Sequence, residues 1–536
     1  MYSEYVLKMA PKVLTQVDRD KHSKNYGDCD RNHWHLKIRD FSSAILQQTG
    51  LTLALLYAVD FPGNVFYKKE TVREWAVSTV YYWQHIQLRD GSFNEYYPNE
   101  HGFPPTAFSL YAMCEVYRRL EIHDEMILKA FRKTAKYLIC HVEEKAYNQE
   151  LASITALYSA YMVLEEDWIL QGMNGKLDRI LKLQSAEGWF PEYGGADIGY
   201  LSVSLDMLAE YYWMSKDERV IEPLNKVIDF LKYFIHPDAT IGGEYASRNT
   251  IYFLPNGLQV MSNLGNETAS AMLQLLYYNS QDNFYFLDAV DDRYCAHYLL
   301  HSFMRAIEKS KNIESVALDI LPFGHDQEHF FKEAGLLSHT IEGVYMIIGA
   351  SKGGVCRVFK NNKNCFDDYG YRVKLAEGKV AATNWQSADY QIKYEDSKIE
   401  ISGYMNLVTQ KVATPIMLLG LRAVSAVLGN RIIGMLKKLI ILVDKKTDIK
   451  FIRSITIGKD RLVIDDHILS PRSIKLECAD SFSLRHVASG KFFSLTDIGN
   501  HSRTHYAETK EIRIQRIFYF TDERLEEKVD YLAGEL

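Results

Sequence analysis

Basic residues are in short supply in this chain of 536 residues: 62 Lys and Arg stand against 69 Asp and Glu, for a formal net charge of −7. A nucleic-acid binder needs a basic field, so that class of partner is excluded. The seven cysteines are odd in number and include no CxxC pair, which argues against a disulfide framework and for a reducing compartment. The opening MYSEYVLKMAPKVL lacks the basic, apolar and small-residue regions of a secretory leader, and a cytoplasmic protein is the expectation. Proline is sparse at 12 residues, whereas Tyr reaches 36 and Phe 25. A tyrosine joins a flat apolar ring to a polar tip, so this surplus suits wet clefts as well as cores. Hydrophobic residues at 47% and charged residues at 24% describe a globular chain, long enough for two domains.

The texture changes along the chain. From Phe41 to Lys309 apolar residues recur at helical spacing, as in Ala107, Leu110, Tyr111, Cys114 and Tyr117. After Leu336 come short β-branched and aromatic runs such as VYMIIGA, YQIKYE and EIRIQRIFYF. The boundary is expected near 310–335, giving an N-terminal extension at 1–40, a helical domain at 41–320 and a strand domain at 321–536.

A repeat carries more information. RDGSFNEYYPNEHGF, AEGWFPEYGGADIGY and PDATIGGEYASRNTIYF each place a turn, then a Glu-Tyr pair, before a new helix. The pairs are Glu95-Tyr96, Glu192-Tyr193 and Glu244-Tyr245, spaced by 97 and then 52 residues. A unit of about fifty residues is one helical hairpin, and several hairpins closing on themselves form an α/α toroid whose loops converge at one end.

At these loops the sequence resembles the heparinase II/III-like proteins, polysaccharide lyases and relatives built from an α/α toroid and an antiparallel β-sandwich. The segment AEGWFPEYGGADIGYLSVSLDML is similar to the family's stretch in which a tyrosine opening the next helix acts as catalytic base or acid, here Tyr200. AYNQELASITALYSAYMVL resembles the family's asparagine-bearing helix start, so the resemblance implies that Asn148 contacts a uronate carboxylate; Gln149 stands where the lyases usually carry His. The family's His-x-His-x-Asp-like strand has no counterpart, the equivalent region reading NCFDDYGYRVKLAEGKV, with His486, His501 and His505 as substitutes. The implied activity is C5 proton abstraction from a uronic-acid-containing polysaccharide.

That chemistry needs a clamp for the sugar carboxylate and a base at C5. Asn148, Arg248, Asn249 or a protonated Glu suit the clamp. Tyr200 is the first candidate for the base, followed by Tyr252 and then His101 in the loop PNEHGF. Glu95, Tyr96, Trp189, Glu192, Tyr193, Glu244 and Tyr245 are the expected substrate-binding residues. Proton delivery to the glycosidic oxygen makes a lyase; reprotonation of C5 from the opposite face makes a C5-epimerase. The loop glutamates also allow glycoside hydrolysis, and a non-catalytic glycan-binding or assembly factor would keep the cleft alone. No cofactor is called for. Asp28, Cys29, Asp30, His33 and His35 have a metal-like composition without a standard zinc spacing.

Residues 414–443 interrupt the strands with a long apolar segment broken by Arg422, Arg431, Lys437 and Lys438. From Leu428 onward an apolar face opposes a basic one, which suits either the surface of an anionic membrane or packing against the toroid or a dimer partner.

Overall fold

The computed structural model describes residues 2–278, 290–310, 316–408, 412–432, 445–482, 493 and 504–532. Its N-terminal part is helical: α1 (Tyr2–Gln16), α2 (Thr49–Ala58), α3 (Glu70–His85), α4 (Phe103–Arg119), α5 (Glu125–Cys140), α6 (Tyr147–Leu164), α7 (Asp167–Leu181), α8 (Ile198–Ser215), α9 (Ile221–Leu231), α10 (Pro255–Asn263), α11 (Glu267–Leu273) and α12 (Leu300–Lys309).

Two kinds of helix alternate. Those such as α2 and α4 are buried on nearly every side, while α5 and α9 bury a single apolar face. The first kind packs in a cycle: α2 on α4, α4 on α6, α6 on α8, α8 on α10, α10 on α12, and α12 back on α2. The amphipathic helices flank this cycle, and Tyr2, Tyr5, Val6 and Met9 of α1 join the same core.

The turns leading into these hairpins share one device. Gly27, Gly91 and Gly188 have φ of 92°, 92° and 104°, and a Cβ on any of them would lie within 2.4 Å of a backbone carbonyl, that of Ser78, Lys133 or Lys226 respectively. Only glycine meets both the left-handed backbone and the close approach. Gly91 and Gly188 belong to the repeated loops; Gly27 marks a further copy, in NYGDCD, that lacks the Glu-Tyr pair.

The C-terminal part is antiparallel sheet. Strands β1 (Gln327–Phe331), β2 (Leu336–Ile341), β3 (Val344–Gly349), β4 (Val355–Lys360) and β5 (Lys363–Asp368) form one sheet in that order. The second contains β6 (Tyr371–Lys374), β7 (Val380–Ala382), β8 (Gln391–Glu395), β9 (Lys398–Val408), β10 (Lys446–Ile457), β11 (Arg461–Ile474), β12 (Leu476–Cys478), β13 (Thr509–Tyr519) and β14 (Arg524–Leu532). Its order is β12-β6-β7-β9-β10-β11-β13-β14, with β8 also on β9.

The first sheet is covered on both faces. Tyr345, Ile347, Val355 and Phe359 join the helical core, whereas Val344, Met346, Ile348, Cys356 and Val358 join the core shared with the second sheet. Alternation of side chains along each strand produces this division and explains why VYMIIG is apolar throughout. Within the second core, Arg453 and Arg516 lie buried against Asp368 and Asp466 at 2.6–3.2 Å.

A further helix, α13 (Pro415–Leu428), leaves the second sheet and reaches back to the helical part. Ser425 Oγ donates to the Pro98 carbonyl at 3.0 Å, and Arg422 makes a two-pronged pair with Asp40 at 2.6 and 2.9 Å. Residues 433–443 of the expected amphipathic segment lie outside the described residues. Among the described residues, no helix is long and apolar enough to cross a membrane.

Candidate functional site

The repeated loops precede α4, α8 and α10, so the residues they carry gather at the N-terminal ends of the cyclically packed helices. Asp197 organises the centre. As the N-cap of α8 its Oδ1 accepts from the Tyr200 N–H at 3.0 Å. Its Oδ2 accepts from the Arg248 N–H at 2.9 Å, and the Thr250 hydroxyl donates to Oδ1. One carboxylate thus ties the second loop to the third. Burial raises the Asp197 pKa to about 6, against these hydrogen bonds and the Arg248 charge, which lower it.

Asn148 enters from the first turn of α6. Its N–H donates to Glu192 Oε1 at 2.6 Å, while the buried Asn148 Nδ2 and Glu192 Oε2 have no protein partner. The Glu192 pKa is pushed well above the carboxylate range, chiefly by burial and further by the Asp197 and Glu143 charges. These influences favour the protonated form of Glu192, the form that donates a hydrogen bond to an anion. The Arg248 guanidinium lies 4.5 Å from the Tyr193 ring centre. Tyr200 is half-buried, its ring edge-on to Tyr252 with centres 6.3 Å apart. Asn148, Glu192, Tyr193, Tyr200, Arg248 and Tyr252 therefore form one group.

The first loop joins through the segment leading into the last helix of the cycle. Glu95 Oε1 accepts from Arg293 Nη2 at 2.7 Å, and the guanidinium sits 5.3 Å from the centre of the half-exposed Tyr96 ring. Tyr298 bridges the two halves. Its ring centre is 5.7 Å from that of Tyr252, and the Asp197 and Glu95 charges both raise its phenol pKa, behind burial as the main cause.

Beside Tyr298, His297 is buried among Phe108, Tyr294 and Tyr298, with neither ring nitrogen hydrogen-bonded to protein. Burial, helped by the Arg293 and His301 charges, depresses its pKa well below the usual histidine value and keeps the ring neutral. Cys295–Leu299 forms a π-helical turn, an irregularity frequent at functional sites.

Other sequence candidates go elsewhere. Trp189 is buried, and its Nε1 donates to Glu187 Oε2, which also accepts from the Ala334 N–H at the junction with the sheets. Glu244 pairs with Arg357 of β4 at 2.8 Å, and Tyr245 is wholly buried with its hydroxyl 3.2 Å from His236 Nε2. Asn249 accepts from Lys352 Nζ, which also donates to the carbonyls of Glu244 and Ala246. The third Glu-Tyr pair thus faces the sheets. His101 lies at the first loop's edge, with Nδ1 2.6 Å from Asp90 and 2.9 Å from Ser92, beside Gly429 after α13.

Asp28 accepts from the Ser42 hydroxyl and the Asp30 N–H and pairs with His33, while Asp30 caps a short helix; these residues are engaged in holding the N-terminal turn. His505 is exposed, 3.4 Å from Glu477. His486 and His501 lie outside the described residues.

Sequence reasoning missed Asp197, Arg293, His297, Tyr298 and Lys352. The first could have been found as an aspartate directly preceding a helical pattern. The pairing of the others depends on distant segments.

A helical part whose helices pack in a cycle, followed by two antiparallel sheets, is a fold this chain shares with solved polysaccharide lyases. Among solved structures, a Paenibacillus xanthan lyase is similar at a TM-score of 0.52 and 12% identity, over 89% of this chain and 46% of that one. A chondroitin AC lyase from Streptomyces coelicolor A3, in complex with chondroitin sulphate, is similar at 0.52 and 9%, over 89% and 68%. The chain therefore spans less than half the length of the xanthan lyase. No family model and no curated protein matches the sequence.

Proposed function

We propose that the protein is a carbohydrate-active enzyme that removes the C5 proton of a uronic acid within an acidic polysaccharide, leading to elimination or to epimerisation. In this reading the helical part is an α/α toroid, the two sheets are a β-sandwich, and the enzyme modifies polymer inside the cell.

One observation carries it: Asn148, Tyr200 and Arg248, from three separate helix entries, are drawn together by the carboxyl groups of Glu192 and Asp197. The C5 proton is weakly acidic because the resulting carbanion adjoins a carboxylate. A clamp of amide, guanidinium and neutral carboxylic acid offsets that charge. Asn148 and Tyr200 sit in first helical turns, where the partial positive charge of the helix end favours an anion and a phenolate. Tyr200 takes the proton, and the electron pair left at C5 either expels the C4 oxygen or is reprotonated from the other face.

Heparosan, alginate and related polymers are the test substrates. Elimination yields a double bond conjugated with the carboxylate, detected by ultraviolet absorbance; epimerisation exchanges the C5 hydrogen with deuterated water without cleavage. Tyr200→Phe is expected to abolish turnover, by about a hundredfold or more, with little change in melting temperature. Near-normal activity in that variant removes Tyr200 from the chemistry. Binding of polymer by the unaltered protein, with neither reaction, identifies a glycan-binding factor instead.

A further inference from the structure

We propose that α13 docks the protein on an anionic lipid surface. The helix is apolar on nearly every side, yet Ser425 is its only buried residue. Val412 before it and Ile416, Leu419 and Val427 within it are 86%, 83%, 68% and 82% exposed. Ile416, Leu419, Ala423 and Val427 recur at helical spacing, so they form one outward stripe. Met417, Leu418, Val424 and Leu428 widen it, all more than 40% exposed.

Attachment to the protein body is polar, through Ser425 to Pro98 and Arg422 to Asp40. Among the described residues, the apolar surface is therefore left uncovered by the chain's own core, and an uncovered patch of this kind marks an interaction site.

Charge selects the partner. Between Gln410 and Lys446 the sequence holds seven basic residues, Lys411, Arg422, Arg431, Lys437, Lys438, Lys445 and Lys446, against Asp444 alone, in a chain whose net charge is −7. Arg422 and Lys446 pair with Asp40 and Asp389, and the other five still leave the segment basic. A second copy on this face would bring two basic segments together at a cost in repulsion. Anionic headgroups attract the basic residues while the interfacial region accepts the apolar stripe.

Flotation of the full-length protein with vesicles tests the proposal, and it involves no sugar chemistry, so its outcome is independent of the reading above. Vesicles of phosphatidylcholine mixed with phosphatidylglycerol are expected to carry the protein about tenfold better than phosphatidylcholine alone, with the advantage lost at high salt. The triple variant Ile416→Glu, Leu419→Glu, Val427→Glu is expected to lose flotation while keeping the melting temperature, because all three side chains face solvent. Equal flotation of variant and parent, or no flotation of the parent with anionic vesicles, overturns the proposal. So does a dimer in sedimentation that the triple variant converts to monomer, since a second copy would then occupy the stripe.

Discussion

Arg293 donates to Glu95 at 2.7 Å across 198 residues of sequence, joining the approach to the last helix of the cycle to the first repeated loop. Glu95 is only 4% exposed, so removing its counter-charge strands a carboxylate in a poorly solvated place. Arg293→Met is expected to cost about 3 kcal/mol of stability, measured by denaturant unfolding. The double variant Arg293→Met, Glu95→Gln should recover much of that loss, because neither charge then remains. Additive losses in the double variant would show that the pair is not coupled.

Glu100 supplies a pH dependence of definite sign. Its Oε2 accepts from the Glu95 and Tyr96 N–H groups at 2.6 and 2.7 Å. Burial, then the Glu95 charge, pushes its pKa up to about 8 from an ordinary 4.5. A carboxyl group raised in the folded state contributes stability that is complete below the unfolded pKa and is lost as pH climbs through the folded one. Melting temperature should therefore fall between about pH 5 and pH 9 in the parent protein, and fall less in Glu100→Gln. Parallel pH profiles for the two proteins would exclude the assignment.

His297 can be tested by what a phenylalanine does in its place. Three aromatic rings surround the imidazole and neither nitrogen finds a protein partner. An unsatisfied buried polar group costs about 1–3 kcal/mol, so His297→Phe is expected to melt higher than the parent. Retention of a costly imidazole beside Tyr298 fits use in the proposed chemistry, and turnover on the uronate polymers should fall in the same variant. A lower melting temperature with unchanged turnover would contradict both expectations.

Much of the helical part was legible because its signals are local. The spacing of Ala107, Leu110, Tyr111 and Cys114 marks a buried helix, and each Glu-Tyr loop announces the next one. Tyr200 and Asn148 were reached through the resemblance to the heparinase II/III-like motifs, and the structure places both in first helical turns. The fate of Glu244-Tyr245 was not, since Arg357 lies 113 residues from Glu244 and no local pattern distinguishes this copy from the other two. Gly27 escaped notice because its loop keeps the glycine but not the Glu-Tyr pair. His297 and Tyr298 were hidden inside DDRYCAHYLLHSF, where a π-helical turn shifts which side chains face inward and so breaks the ordinary period.

Lys352, carried on the short turn after β3, grips the backbone of the third loop at Glu244 and Ala246 and the side chain of Asn249. The third loop, which also carries Arg248, is thus held in shape partly by the half of the polypeptide that supplies none of the proposed chemistry. Shortening the gene to its helical portion would release Asn249 and deprive Glu244 of Arg357, so the smaller fragment would inherit the recognisable motifs without the shape that makes them useful.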